Sequence, residues 1–284
     1  MELPFELDLK EKVVVVTGGG GVLCGMFARA LGQCGGKIAV LDLRQEAAQK
    51  VADEICQSGG TAKGYGANVL KSVELQACRE QIEKDFGSCD ILINGAGGNH
   101  PKGTTTKEYL EAEDLKDNQE LITFFDLDPA GVEFVFNLNF LGTLLPTQVF
   151  AKDMVQRKNG TIINISSMNA FCPLTKIPAY SGAKAAVSNF TQWLAVHFSK
   201  IGVRVNAIAP GFFVTDQNRA LLYDENGNPT PRTAKILAAT PMGRFGGAEE
   251  LIGTLLWLVN EKASGFVNGV VVPVDGGFSA YSGV

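Results

Sequence analysis

Histidine is nearly missing from this chain: His100 and His197 are its only two in 284 residues. Two imidazoles so far apart exclude a histidine-rich metal centre, and His197 falls in a helical pattern that assigns it to structure. Paired cysteines are missing too. Six are present (Cys24, Cys34, Cys56, Cys78, Cys89 and Cys172) without one Cys-x-x-Cys spacing, so neither a zinc site nor a disulfide scaffold is expected and the thiols should be free and buried. Positive charge is in deficit. A net charge of −5, with no clustered basic face, argues against a nucleic-acid partner. No apolar run reaches spanning length, so no membrane role is expected. The stretch from Met1 to Lys10 carries neither a cationic leader nor a continuous apolar segment, and the expected location is the cytoplasm.

What the chain does have is glycine, at 33 positions, and apolar residues at 45% against 19% charged. That balance describes a globular fold with a substantial core, and the length suits a single domain over residues 1–284. Val13 to Thr17 is a continuous β-branched run that ends in Gly18 to Gly21, which reads as a buried strand feeding a tight turn. Leu23, Phe27, Ala30 and Leu31 then keep helical spacing up to about Gln33, and Lys37 to Asp42 forms the next strand. The alternation continues with helices near 45–58 and 71–86, a weak strand near 61–67 and a strand at 90–93. Beyond these come helices near 128–157 and 178–200 flanking a strand at 160–166, a strand at 203–209, a helix near 248–259 and a last strand around 270–274. Strands and helices alternating at this pitch predict an α/β fold, a Rossmann-type doubly wound and mostly parallel sheet with helices on both faces.

Two stretches break the rhythm. A polar insert near 99–127 contains His100-Pro101, Thr104 to Thr106 and a charged piece around 107–121 that reads as helical. A loop near 212–240 contains Asn226-Gly-Asn-Pro229, a strong turn signal. Both follow the C-terminal ends of strands, where open parallel sheets bind their ligands.

The first turn has a direct physical use. Gly18 to Gly21 let the backbone approach a pyrophosphate, the following helix offers free amides, and Asp42 at the end of the second strand accepts from ribose hydroxyls. Asp42 would repel a 2′-phosphate and the turn holds no cation to offset it, so NAD is expected over NADP. Tyr180 and Lys184, four apart on a helix, share one face. An ammonium near a phenol that otherwise ionises near pH 10 stabilises the phenolate, which suits acid–base work on a carbonyl. With five tyrosines in the chain, that spacing alone carries little.

Together, Thr17-Gly18, Asp42, Asn68-Val69, Asn94-Gly-Ala-Gly97, Asn139, Ser166-Ser167, Tyr180-x-x-x-Lys184, Asn206, Pro210-Gly211 and Val274-Asp-Gly-Gly277 resemble the short-chain dehydrogenases/reductases over nearly the whole chain. The resemblance implies a catalytic set of Asn139, Ser167, Tyr180 and Lys184. In it Tyr180 is the acid and base, Lys184 depresses the Tyr180 pKa and holds the nicotinamide ribose, and Ser167 bonds the substrate oxygen. Asn139 supports a relay water. It further implies NAD contacts from Gly18, Gly21, Leu23, Asp42, Leu43, Asn68, Val69, Asn94, Ala96, Gly97, Pro210, Gly211, Phe213 and Thr215, besides Tyr180 and Lys184. The family's serine lies 13 residues before its tyrosine, which selects Ser167 over Ser166, and Asn68 stands where the family has an acid beside the adenine. Two departures stand out. The family's Thr-Gly-x-x-x-Gly-x-Gly reads here with Val22 and Cys24 in place of its last two glycines, and Gly95 replaces its second asparagine. Cys24 is therefore expected close to the cofactor, with thiol modification inhibitory and NAD protective.

The loop after Gly211 is polar and carries cations, which fits a hydroxylated carboxylate better than a fatty chain or steroid. Arg219 is the expected carboxylate partner, with Asn218, Gln217 and His100 on hydroxyls; Arg232 and Lys235 lie further along. The pattern resembles the sugar-acid members of the family. Rival readings are another polyol or gluconate-type dehydrogenase, a 3-oxoacyl thioester reductase, or an inactive NAD-binding sensor. The family commonly forms homotetramers, with Gly276 to Val284 a contributor to the interface.

Overall fold

The computed structural model describes residues 3, 6–116, 121–214, 222–225 and 227–283. Its spine is one seven-stranded sheet: β1 (Val13–Thr17), β2 (Lys37–Asp42), β3 (Thr61–Gly66), β4 (Ile91–Asn94), β5 (Gly160–Ile165), β6 (Val203–Pro210) and β7 (Val271–Val274). The strands are ordered β3-β2-β1-β4-β5-β6-β7 and every neighbouring pair is parallel. Helices α1 (Val22–Gln33), α2 (Gln45–Gln57) and α3 (Ser72–Asp85) connect the first four strands. Helices α4 (Pro129–Phe136) and α5 (Gly142–Arg157) precede β5, and α6 (Pro178–Phe198) follows it.

Four valines in a row make sense in β1 because both faces of the strand are covered. Val14 and Val16 pack with Phe27 and Leu31 of α1, whereas Val13 and Val15 pack with Leu75 of α3 and Phe150 of α5. A parallel strand buried on both sides needs no polar alternation. Helix α8 (Ile252–Val259), which precedes a last short helix α9 (Glu261–Ser264), adds Leu255 and Leu258 to the α1 side, while α6 adds Leu194 and Ala195 to the other.

Four local features differ from expectation. Over the described residues 107–116 the expected helix around 107–121 is absent: they form a single 3-10 turn, Ala112–Leu115, and Tyr109, Leu110 and Leu115 stay exposed. A short segment with no apolar face to bury does not hold a helix. Conversely the 212–240 loop contains a helix, α7 (Pro231–Ala238), started by Pro231 and by Thr230, whose hydroxyl accepts from the Thr233 amide. Third, α4 and α5 are joined by a π-helical turn, Asn137–Leu141. The combined helix Pro129–Arg157 is long enough, and over an 18-residue window with a mean hydropathy of 1.3 apolar enough, for a span that no single apolar run suggested; half of that window is buried within the fold. Finally, all six cysteines are free, but Cys56 and Cys172 are exposed and Cys34 is half-buried.

Candidate active site

The sheet order reverses between β1 and β4: from β1 the chain winds towards β3, and from β4 towards β7. Loops leaving those two strands diverge and open a crevice at their C-terminal ends. A cavity of about 560 Å³ occupies it. Gly18, Gly21, Leu23, Asp42, Leu43, Asn68, Val69, Ala96, Gly97, Gly211 and Phe213 line this cavity. Val22, Cys24 and Gly95, the positions that depart from the family pattern, line it too, with Arg232 of the polar loop, and so do Ala67, Leu138, Phe212, Leu222, Ile236 and Phe245, which the motifs had not named.

The glycine turn is built for close approach. Gly18 has φ +65°, and a Cβ there would stand 2.9 Å from the Ala96 backbone. Gly21 caps α1 without a side-chain bond, and the first turn of α1 holds no acid, so its amides face the cavity free to receive a pyrophosphate. Asp42 braces the same turn: its Oδ2 accepts from the Gly20 amide at 3.1 Å and its Oδ1 from the Arg44 amide at 3.0 Å. Asn68 turns its Oδ1 to the Leu70 amide, 2.9 Å away, so that acceptor is shared with its own loop. These residues fit a dinucleotide.

The two sequence departures meet in space. A Cβ on Gly95 would lie 2.0 Å from Cys24 Sγ; the thiol fills the room that an asparagine at 95 would need. That seat also corrects the expected thiol sensitivity. Cys24 is buried and desolvation pushes its thiol up to about 12, so almost no thiolate exists at neutral pH to be modified.

Across the crevice, α6 begins at Pro178 and carries Tyr180 and Lys184 one turn apart on its inner face. Lys184 is buried, and its Nζ donates to Ile165 O at 2.8 Å and lies 5.7 Å from the centre of the Tyr180 ring. Desolvation lowers Lys184 to about 8. The Tyr180 hydroxyl sits deep enough that burial raises its pKa, opposed by a hydrogen bond from the Ser167 side. The expected depression of the phenol by Lys184 is thus not what the free protein shows: burial raises the phenol, and the group that lowers it is Ser167. Ser167 Oγ accepts from the Asn169 amide at 3.2 Å, leaving its own proton to donate. Ser166 faces elsewhere, its Oγ 2.7 Å from Ser188 Oγ and bonded to Lys184 O.

Asn139 is fully buried at the middle of the π turn. Its Nδ2 donates to Gly98 O at 2.7 Å and Val135 O at 2.8 Å, while its Oδ1 accepts from the Gly98 amide. Both polar atoms of the Asn139 side chain are therefore engaged by the protein itself. A Cβ on Gly97 would stand 2.7 Å from Asn139 Oδ1 and 3.1 Å from Lys184 Nζ, so the loop after β4 runs directly over both. Asn94 lies beneath that loop, buried, with Nδ2 donating to Thr147 and Asn164, both at 2.9 Å; it supports the floor and does not line the cavity. Pro210 is likewise buried in β6, paired with Val274, and turns the chain so that Gly211 and Phe213 reach the crevice.

On the outer side, His100 lines neither this cavity nor the next one: its Nδ1 accepts from the Lys102 amide and its ring packs on Phe134 at 5.1 Å. Thr215, Gln217, Asn218 and Arg219 fall outside the described residues. A second cavity of about 540 Å³ lies between the 172–177 segment, α7 and the insert, and shares Phe212, Arg232 and Ile236 with the first. Lys235 ties α7 to the insert through Glu108, at 2.9 Å. No group of metal-ligating side chains exists among the described residues.

Comparison with known proteins agrees with this architecture. The family model for short chain dehydrogenases matches residues 12–226. An uncharacterised oxidoreductase of Haemophilus influenzae is 64% identical over 284 residues, spanning 100% of this chain and 99% of that one. A crystal structure from the same species, provisionally assigned as a D-mannonate oxidoreductase and holding NAD, superposes with a TM-score of 0.94 at 63% identity, with 100% of both chains covered. The 5-keto-D-gluconate 5-reductase of Escherichia coli is 33% identical across 95% of this chain and 96% of its own length.

Proposed function

Since the chain belongs to the short-chain dehydrogenases, an oxidoreductase family acting on alcohols and ketones, we propose that it interconverts D-mannonate and D-fructuronate with NAD as cofactor. The observation that carries the chemistry is the meeting of Ser167, Tyr180, Lys184 and Asn139 at the edge of the dinucleotide crevice. When bound, NAD supplies or accepts the hydride at the carbonyl carbon. In reduction the Ser167 hydroxyl donates to the substrate oxygen and polarises the carbonyl. Tyr180 then breaks its O–H bond to protonate that oxygen, and Lys184, still an ammonium at neutral pH, stabilises the phenolate left behind. Asn139 acts on the backbone: it pins the loop after β4 so that Gly97 stays close over Lys184. Oxidation runs the same path backwards.

Asp42 at the rim, with Arg232 the only cation among the described lining residues, supports NAD over NADP. The D-mannonate assignment draws on the Haemophilus structure, and a keto-gluconate is the second reading because of the Escherichia coli reductase. Six free thiols support a reducing, cytoplasmic location. An exposed apolar face on α6, with Trp193 57% and Val196 76% accessible, supports a homotetramer. The substrate is tested by following NADH oxidation with D-fructuronate, 5-keto-D-gluconate and a 3-oxoacyl thioester. D-fructuronate should give the highest kcat/KM; a higher value for either competitor would overturn the assignment, and no turnover of any carbonyl compound would leave an NAD-binding sensor.

A further inference from the structure

The second cavity has a charge imbalance that the dehydrogenase chemistry does not use. Lys176, Arg232 and Lys235 line it, against one carboxylate, Glu108. Glu108 is already committed: Lys235 bonds it at 2.9 Å, and that bond together with the positive charges of Lys235 and Lys176 holds its carboxyl below the usual range. The side chains of Arg232 and Lys176 have no hydrogen-bond or ion-pair partner among the described residues. Much of the remaining lining is apolar, including Leu174, Ile177, Phe212, Ile236 and Phe278. Cations set against such a wall attract an anion more strongly than they would on an open surface.

Of the two unpaired cations, only Arg232 borders both cavities. It stands at the seam between the dinucleotide crevice and the outer space, with Phe212 and Ile236 beside it. Lys176 faces the outer cavity alone, on a left-handed backbone (φ +66°) whose carbonyl accepts from the Thr105 amide at 2.8 Å. A sugar acid whose ketone lies at the far end of the chain from its carboxylate needs a planar, two-pronged donor set apart from the groups that bind its ketone. A guanidinium meets that need better than an ammonium.

We propose that Arg232 is the residue that recognises the substrate carboxylate, and that the Glu108–Lys235 ion pair holds helix α7 in the position that presents it. This inference rests on the sugar-acid reading above and deepens it. The test measures kcat and KM for the keto sugar acid and for its neutral carboxamide in wild type, Arg232→Gln and Arg232→Lys. Arg232→Gln should raise KM for the acid about 30-fold while kcat stays within about threefold, the pattern of lost uniform binding to a charged group. KM for the carboxamide should stay within about twofold, and Arg232→Lys should recover part of the loss. Should Arg232→Gln keep the wild-type preference for acid over amide, or lose both substrates equally, the Arg232 assignment is wrong while the sugar-acid reading stands. If instead wild type shows no preference for the acid, or turns over neither compound, the sugar-acid reading fails and the role of Arg232 falls with it.

Discussion

Lys184 is a buried cation whose Nζ has one carbonyl acceptor, Ile165 O, among the described residues. Its folded-state pKa of about 8 lies below its ordinary 10.5 because burial penalises the ammonium. The unfolded chain therefore keeps a proton that the folded protein gives up in that window, and stability of the cofactor-free protein should rise as pH climbs from about 8 towards 10.5. Urea midpoints between pH 7 and pH 10 should show this rise in wild type and a flatter profile in Lys184→Met; parallel profiles would contradict it. Tyr180 is raised by burial and eased down by Ser167, so Ser167→Ala should move the pH profile of alcohol oxidation upward as well as slow it. An unmoved profile would remove Ser167 from the control of Tyr180. Tyr180→Phe should cut kcat by about 10³-fold or more with NAD affinity, read by fluorescence titration, changed by less than about twofold. The helical phase of Tyr180 and Lys184 was legible from spacing alone. The direction of the Tyr180 shift was not, because it depends on how deeply distant loops bury the hydroxyl.

At the scale of elements, the glycine turn before α1 and the loop after β4 act as one unit. Cys24 and Gly95 are a matched exchange of size: with 2.0 Å between Sγ and a would-be Cβ, Gly95→Asn alone should overpack the seam and cost about 1–3 kcal/mol. Cys24→Gly combined with Gly95→Asn should recover most of that loss, a coupling of more than about 1 kcal/mol in a thermal-denaturation cycle. Simple additivity would mean the two positions do not share the space. The motif comparison exposed each departure separately but not their contact, since residues 24 and 95 meet only once β1 and β4 are paired. The π turn that brings Asn139 inward also left no local signal: a bulge of this kind answers to packing, not to propensity. Helix α7 did leave one, the Thr230-Pro231 start, which the polar character of the loop obscured. Over the described residues 107–116 the opposite happened, as charged spacing suggested a helix that had no core to lie on.

For the whole molecule, the outer face of α6 is the feature the sheet leaves uncovered. Phe190, Trp193 and His197 stack along it, Trp193 and His197 at 4.8 Å, which gives His197 the structural place its helical setting suggested. A stacked aromatic ridge flanked by exposed Val196 is the kind of apolar surface that association covers. Trp193→Glu should convert the proposed tetramer to a smaller species in sedimentation velocity without loss of the folded monomer's helicity; an unchanged species would place the interface elsewhere.

The strand order along the chain, the helices between the strands of the sheet's first half, the dinucleotide turn and the acid at the end of β2 were all determined by the sequence itself, because periodicity, glycine and chain order act over short spans of residues. The tertiary structure alone decided that a cysteine would fill a missing asparagine's room, that Asn139 would hold a loop and that Arg232 would stand between two cavities. Those outcomes depend on volume, burial and charge contributed by segments far apart in the chain, and such quantities have no value until the segments are packed.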